Sequence, residues 1–300
     1  MDVLETDTYR LEAFFDPATS TLSYLLLCRA TKACALVDPV LDYHPATGHT
    51  DTTSADRLVA RVQELGGQLA WILETHVHAD HLTAASYLQQ ALGGRIGIGD
   101  RIGQVQATFE RWFPSKDGQG LEGRPFDRLF ADEDRFQLGR LNLRVLHTPG
   151  HTPACVSYVL DDSDAPLAFV GDTLFSPDYG TARCDFPGAS AACLYHSIQR
   201  LLSLPGHTQL LLCHDYRPNG RALVWRSSVA EQRAHNLHLQ ACPNEASFVT
   251  LRQQRDATLG MPALMLPAVQ VNVRAGRLPA PQANGVRYLS IPLNILKDAP

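Results

Sequence analysis

The segment His76-Val77-His78-Ala79-Asp80-His81 places four side chains able to ligate a metal within six positions. Further ligand types stand in three short motifs: His151 in Thr148-Pro149-Gly150-His151-Thr152, Asp172 in Gly171-Asp172-Thr173, and His214 in Cys213-His214-Asp215. So many polar groups concentrated at buried strand ends are costly unless a cation compensates them. The chemistry they suit is that of a metal centre. Among the other histidines, His44, His49, His196, His207, His235 and His238 are scattered singly and read as surface or hydrogen-bonded residues.

The elements that must position these groups can be read from pattern. Apolar or alternating runs predict strands over 9–15, 22–28, 33–37, 69–73, 95–99, 141–146, 156–160, 167–170 and 209–213. Helices are expected over 54–65, with Ser54 as cap, from 82 through Leu92, and over 102–113 and 191–202. The stretches 42–53 and 114–125 read as loops and 132–139 as a turn. Four of the strands run directly into ligand types: His76 and His78, then His151, then Asp172, then His214. Strand ends lie together at a sheet edge, so these groups can converge on rigid supports. From about Arg226 two helical stretches, 227–240 and 245–258, lead into a Pro-rich tail. The chain therefore divides into a catalytic domain, 1–225, and a C-terminal extension, 226–300, packed on it.

Composition narrows the classes. The 300 residues are 45% hydrophobic, enough for a sizeable core, and the net charge is −5. With no block of Lys or Arg, neither a nucleic-acid surface nor an anionic-membrane surface is expected. No apolar run reaches the ~18 residues of a membrane span, and Met1–Phe15 has neither signal-peptide nor transit-peptide character. The seven cysteines form no C-x-x-C pair, which disfavours a disulfide framework or a thiolate zinc site. They read as small buried groups of a reduced, cytoplasmic protein.

The order and spacing of His76–His81, Thr148–Thr152, Gly171-Asp172-Thr173-Leu174-Phe175 and Cys213-His214-Asp215-Tyr216 resemble the metallo-β-lactamase superfamily. The resemblance covers about residues 9–220 and implies an α/β fold, the αββα sandwich, with its site at one edge of two sheets. Within that superfamily the chain looks most like the persulfide dioxygenases. The cues are Thr75–His81, Ala182-Arg183-Cys184-Asp185-Phe186, Leu194–Ile198, Leu204-Pro205-Gly206 and His214-Asp215-Tyr216, where glyoxalase II enzymes usually carry Glu in place of Asp215. Cys184 stands where the family commonly has Thr and is read as a plain replacement.

The resemblance implies one Fe(II) per chain on His76, His151 and Asp172, with His78, Asp80, His81 and His214 orienting ligands and water around it. Two imidazoles and one carboxylate leave open positions, as oxygen-activating non-haem iron requires. The implied substrates are glutathione persulfide and O2, giving sulfite and glutathione. Arg183 is expected to hold a glutathione carboxylate, with Tyr179 and Arg217 as weaker candidates; Arg252, Arg255 and Lys297 of the extension either reach the pocket or, as charges more commonly do, are simply solvated. The same donors also suit a two-zinc thioester hydrolase of the glyoxalase II kind: His76, His78 and His151 on one metal, Asp80, His81 and His214 on the other, and Asp172 between. A non-enzymatic scaffold on the same fold would have lost ligands, and none is lost. A homodimer through the extension is left open.

Overall fold

The computed structural model describes residues 2–114, 121–161 and 166–294. In chain order the elements are β1 (Asp2–Glu5), β2 (Tyr9–Asp16), β3 (Thr21–Cys28), β4 (Ala33–Val37), β5 (Val40–His44), β6 (His49–Asp51), α1 (Thr53–Glu64), β7 (Gln68–Leu73), β8 (Leu82–Thr83), α2 (Ala85–Leu92), β9 (Arg95–Gly99), α3 (Ile102–Glu110) and β10 (Arg128–Phe130). There follow β11 (Arg135–Leu138), β12 (Leu141–His147), β13 (Val156–Leu160), β14 (Leu167–Phe169), α4 (Ala191–Leu202), β15 (Gln209–Leu211), β16 (Arg226–Ser228), α5 (Val229–His235), α6 (Leu237–Ala241), α7 (Glu245–Asp256) and α8 (Met265–Asn272).

Two sheets, ordered β1-β2-β3-β4-β7-β9-β10 and β11-β12-β13-β14-β15-β16, make the centre; a small sheet β6-β5-β8 adjoins them. Side chains alternate across a strand, and the central strands of the first sheet are apolar on both faces. Tyr24, Leu26, Val37, Trp71 and Leu73 meet Val145, Tyr158, Phe169 and Leu211 of the second sheet. Their neighbours Leu25, Leu27, Leu36 and Ile72 face outward onto Leu58 and Val62 of α1, Leu88 of α2 and Ala268 and Val271 of α8. Leu194, Ile198 and Leu201 of α4 join the core on the second sheet's side. The result is the expected αββα sandwich.

Several local expectations change. Most of the stretch 42–53 lies in the β5–β6 hairpin, with Asp42 opposite Asp51, and Ser54 binds the Asp42 carboxylate instead of capping α1. The turn over 132–139 contains β11, paired with β12. The helix expected over 227–240 begins as β16, which pairs with β15, and breaks at Asn236, whose side chain caps α6. The loop expected over 114–125 lies partly outside the described residues. The tail contains α8, a buried helix whose apolar residues hide a short element among prolines. The expected division at residue 226 falls at the first residue of β16.

Candidate metal centre

Each donor sits just beyond the C-terminal end of a strand: His76–His81 after β7, His151 after β12, Asp172 after β14 and His214 after β15. The structure brings all seven together. Ring centroids lie 4.0 Å apart for His76 and His78, 5.1 Å for His76 and His151, and 4.2 Å for His78 and His81. The Asp172 carboxylate lies 3.8 Å from His76 Nε2 and 3.6 Å from His151 Nε2 through Oδ2. Its Oδ1 lies 3.3 Å from His214 Nε2, which is also 3.2 Å from Asp80 Oδ2. Donor atoms of His76, His151 and Asp172 form one group within 4.8 Å of one another, and those of His78, Asp80 and His81 form another.

The hydrogen bonds outside the site fix which ring nitrogens face into it. His151 Nδ1 donates to the Arg183 carbonyl at 3.0 Å, leaving Nε2 as a lone pair. Thr75 spends its hydroxyl proton on Asp38 Oδ2, at 2.8 Å, and can accept from His76 Nδ1 at 3.0 Å. His78 Nε2 binds Asp38 Oδ1 at 3.0 Å, which turns Nδ1 inward. His214 Nδ1 approaches the Ser20 carbonyl at 3.3 Å. Asp38 thus orients two imidazoles from one buried carboxylate. It was not singled out from sequence, although it too closes an apolar strand, β4.

These inward atoms have no hydrogen-bond partner. His76 Nε2, His78 Nδ1, Asp80 Oδ2, His81 Nε2, Asp172 Oδ1 and His214 Nε2 are all buried and unsatisfied. Buried polar atoms are ordinarily paired, so six orphans converging on one place fit a bound cation. The electrostatics agree. Burial alone would raise the Asp172 carboxyl; His214 and His76 outweigh it and hold the group well below the ordinary carboxylate range. Burial, reinforced by His78, pushes His76 well below the usual histidine value, favouring the neutral form that ligates metals. At His214 burial is outweighed by Asp80 and Asp172, which lift it to about 9. Two carboxylates around that nitrogen call for a positive charge, supplied by a proton or by a metal.

Two further contacts hold the loop. Asn272 of α8 donates from Nδ2 to the carbonyls of His78 and His81, at 2.9 and 2.8 Å, and accepts the Thr83 N–H at 2.9 Å. Nothing in the tail's sequence pointed to this residue. Gly171, before Asp172, has φ +52°, and a Cβ there would lie 2.8 Å from Thr75 Oγ1. Only glycine lets the β14 end approach the His76 loop so closely.

A cavity of about 450 Å³ opens over the centre, lined by Asp80, His151, Asp172, Phe175, Tyr179, Arg183, Phe186, Tyr216, Arg252 and Arg255 among others. A second cleft, of about 380 Å³, lies between β2 and α1 and includes none of the donors. Tyr179 takes its expected place on the main cavity wall, packed on Tyr216 with ring centroids 4.6 Å apart. Arg183 lines the cavity, but its guanidinium is engaged by Asp185, with two bonds of 2.6 Å, and by the Gly260 carbonyl at 2.9 Å. The same residue's carbonyl orients His151. Arg217 is exposed, lies over the Phe15 ring and is not on the cavity wall; its backbone is left-handed (φ +45°). Of the two readings of Arg252 and Arg255, the structure favours the pocket: both line the cavity, and Arg252 is only 1% exposed. Lys297 lies outside the described residues. Five cysteines are buried, while Cys193 is exposed and Cys184 half-buried. Burial drives the Cys184 thiol upward, which suits an unreactive replacement.

The sequence pattern of the metallo-beta-lactamase superfamily matches residues 17–214. With the two-sheet fold and the donors above, this shows that the chain belongs to that superfamily. Among its relatives, a probable metallo-hydrolase of Burkholderia pseudomallei is 55% identical over 95% of this chain and 99% of its own length. The persulfide dioxygenase ETHE1 of Homo sapiens is 32% identical over 89% and 88%. The crystal structure of ETHE1 from Myxococcus xanthus superposes with a TM-score of 0.70 at 30% identity, covering 89% of this chain and 99% of that one. The chain spans 66% of the length of a beta-lactamase hydrolase-like protein of Xylella fastidiosa that it also matches. No described helix is long and apolar enough to cross a membrane.

Proposed function

We propose that the protein is a glutathione persulfide dioxygenase with one Fe(II) held by His76, His151 and Asp172. The observation that carries this reading is the convergence of two imidazole nitrogens and one carboxylate within 4.8 Å, with His151 and Asp172 on the cavity wall. The similarity to the human persulfide dioxygenase supports it. Held by those three residues, Fe(II) would supply the oxygen-activating chemistry by which one O2 and one water convert the terminal sulfur of the persulfide to sulfite and release glutathione. The protein's part is positioning. The Arg183 carbonyl and Thr75 orient His151 and His76 with lone pairs inward, and Asp38 anchors Thr75 and His78. Phe175, Tyr179, Phe186 and Tyr216 give the cavity apolar and aromatic walls that limit water around the reacting sulfur.

A second reading, a two-zinc thioester hydrolase, is favoured by one fact: the orphaned donors outnumber those one metal needs. The relative described as a probable metallo-hydrolase points the same way. The discriminating experiment is metal analysis of protein purified without added metal, followed by oxygen uptake with glutathione persulfide beside hydrolysis of S-lactoylglutathione. Iron at up to about one per chain with oxygen uptake is the expected result. Two zinc ions, fast thioester hydrolysis and no oxygen uptake would replace the proposal with the hydrolase.

A further inference from the structure

The β5–β6 hairpin carries two imidazoles remote from the candidate centre. His44 ends β5, His49 opens β6, and the two are register partners across the hairpin. Residues directly opposite on an antiparallel pair point to the same face, with Cβ atoms about 4.5–5.5 Å apart. The two rings accordingly stack, with centroids 6.4 Å apart and planes inclined by 27°. Outside the candidate centre they are the one pair of facing imidazoles among the described residues. The turn between them holds the register: Thr47 donates its N–H to the His44 carbonyl at 3.2 Å, and Gly48 takes a left-handed φ of +64°. Both histidines are exposed. Neither ring has a hydrogen bond or ion pair among the described residues.

Side chains two apart on a strand share a face, so Asp51 lies on the same face as His49. Its Oδ1 takes both bonds from Thr53, which leaves Oδ2 without a hydrogen bond among the described residues. Thr53, and after it His49 and His44, hold this carboxyl below its ordinary range. The fourth member of the face, Asp42, is spent on Ser54. Two idle imidazoles and an open carboxylate oxygen are a donor set for a borderline divalent cation. Imidazole suits Zn2+, Cu2+ and Ni2+, whereas Mg2+ and Ca2+ take oxygen ligands. A Zn–N bond is about 2.0–2.1 Å long, so a small rotation of each exposed ring admits an ion between two nitrogens. The strand from Val40 to His44 spans about 13 Å and leads away from Asp38, so the hairpin tip and the candidate centre are separate positions.

We propose that His44 and His49, assisted by Asp51, form a surface site on the β5–β6 hairpin that chelates a late first-row divalent cation, Ni2+, Cu2+ or Zn2+. The site is independent of the proposed function, because none of its donors reaches the cavity wall.

The test is retention of the untagged, metal-loaded protein on an immobilised Ni2+ column, followed by equilibrium dialysis against radiolabelled Ni2+. A column-bound ion reaches only surface histidines, so the buried donors of the candidate centre do not contribute. The wild type should be retained and should take up about one Ni2+ per chain with its centre still loaded. His44→Gln and His49→Gln should each weaken Ni2+ binding about a hundredfold, since joining two donors strengthens binding by roughly two orders of magnitude or more. Asp51→Asn should weaken it less, and Mg2+ should not compete. His207→Gln removes an exposed histidine elsewhere and should change neither retention nor uptake. Equal affinity of the wild type and His44→Gln, a loss confined to one of the two hairpin variants, or an equal loss in His207→Gln would each overturn the chelate. Metal in the centre is measured on the same samples and should be the same in all of them. A fall in centre metal that accounts for the lost Ni2+ would overturn the proposal as well, because the hairpin would then act through the centre.

Discussion

At the scale of single residues, one carboxylate touches both ends of the candidate centre. Asp172 faces His76 and His151 through one oxygen and His214 through the other. Asp172→Asn removes the charge while keeping the shape, and should abolish metal retention, as should His151→Ala; metal content after dialysis checks both. A variant of either that keeps its metal would mean the ligands are elsewhere. His214 separates the two enzyme readings. In the one-iron enzyme it acts only through hydrogen bonds and charge, and losses of that kind usually cost ~10–100-fold. His214→Ala should then keep its iron and measurable oxygen uptake, whereas His76→Ala loses both. Loss of half the metal in His214→Ala would favour two metals. Far-ultraviolet circular dichroism on each sample separates these outcomes from misfolding.

At the scale of elements, α8 is a clamp on a loop nearly two hundred positions earlier in the chain. Asn272→Leu keeps the side-chain size but strands the His78 and His81 carbonyls and the Thr83 N–H. It should lower stability by about 2–3 kcal/mol and weaken metal retention. A shifted urea midpoint together with reduced metal content is the expected outcome; normal values of both would show the clamp to be dispensable. This clamp also marks where reading from sequence stopped. The strands that deliver donors were legible because a buried strand is a continuous apolar run and its end was marked by His or Asp. β9 and β13 match their expected ranges, as does α4. Asp38 carried the same mark after β4, yet an isolated Asp-Pro is also ordinary turn chemistry. β10 and β11 are too short to show a period, and β16 reads as helix because its Ser-rich sequence also caps α5. The positions of Asn272, Arg252 and Arg255 depend on tertiary packing, for which local sequence has no signal.

At the scale of the whole molecule, a buried histidine held neutral links stability to acidity. His238 falls to about 4 in the fold, against about 6.5 for an ordinary histidine. Between those values the unfolded chain binds a proton that the folded one refuses, so stability rises with pH there and is lost as pH falls from about 6.5 toward 4. The contribution is at most about 3 kcal/mol. His238→Gln should flatten that part of the stability–pH curve, as measured by urea unfolding at several pH values. An unchanged slope would assign the acid sensitivity to other groups.

The cavity itself is assembled from distant parts of the chain. The β2–β3 turn contributes Ala18, Thr19 and Ser20, the strand ends contribute the donors, and the segment from α7 to α8 contributes Arg252, Arg255, Leu259 and the Pro262–Leu264 run. The donors and this part of the wall therefore come from separate stretches of the chain. A chimera that exchanges residues 245–264 but keeps Asp256 and Gly260 leaves the donors and their supports in place, because those two residues hold Cys184 and Arg183 beside His151. Drift in that late segment can reshape the wall only where Phe248, Asp256 and Gly260 are spared, since the first fills the core and the other two steady the neighbours of His151.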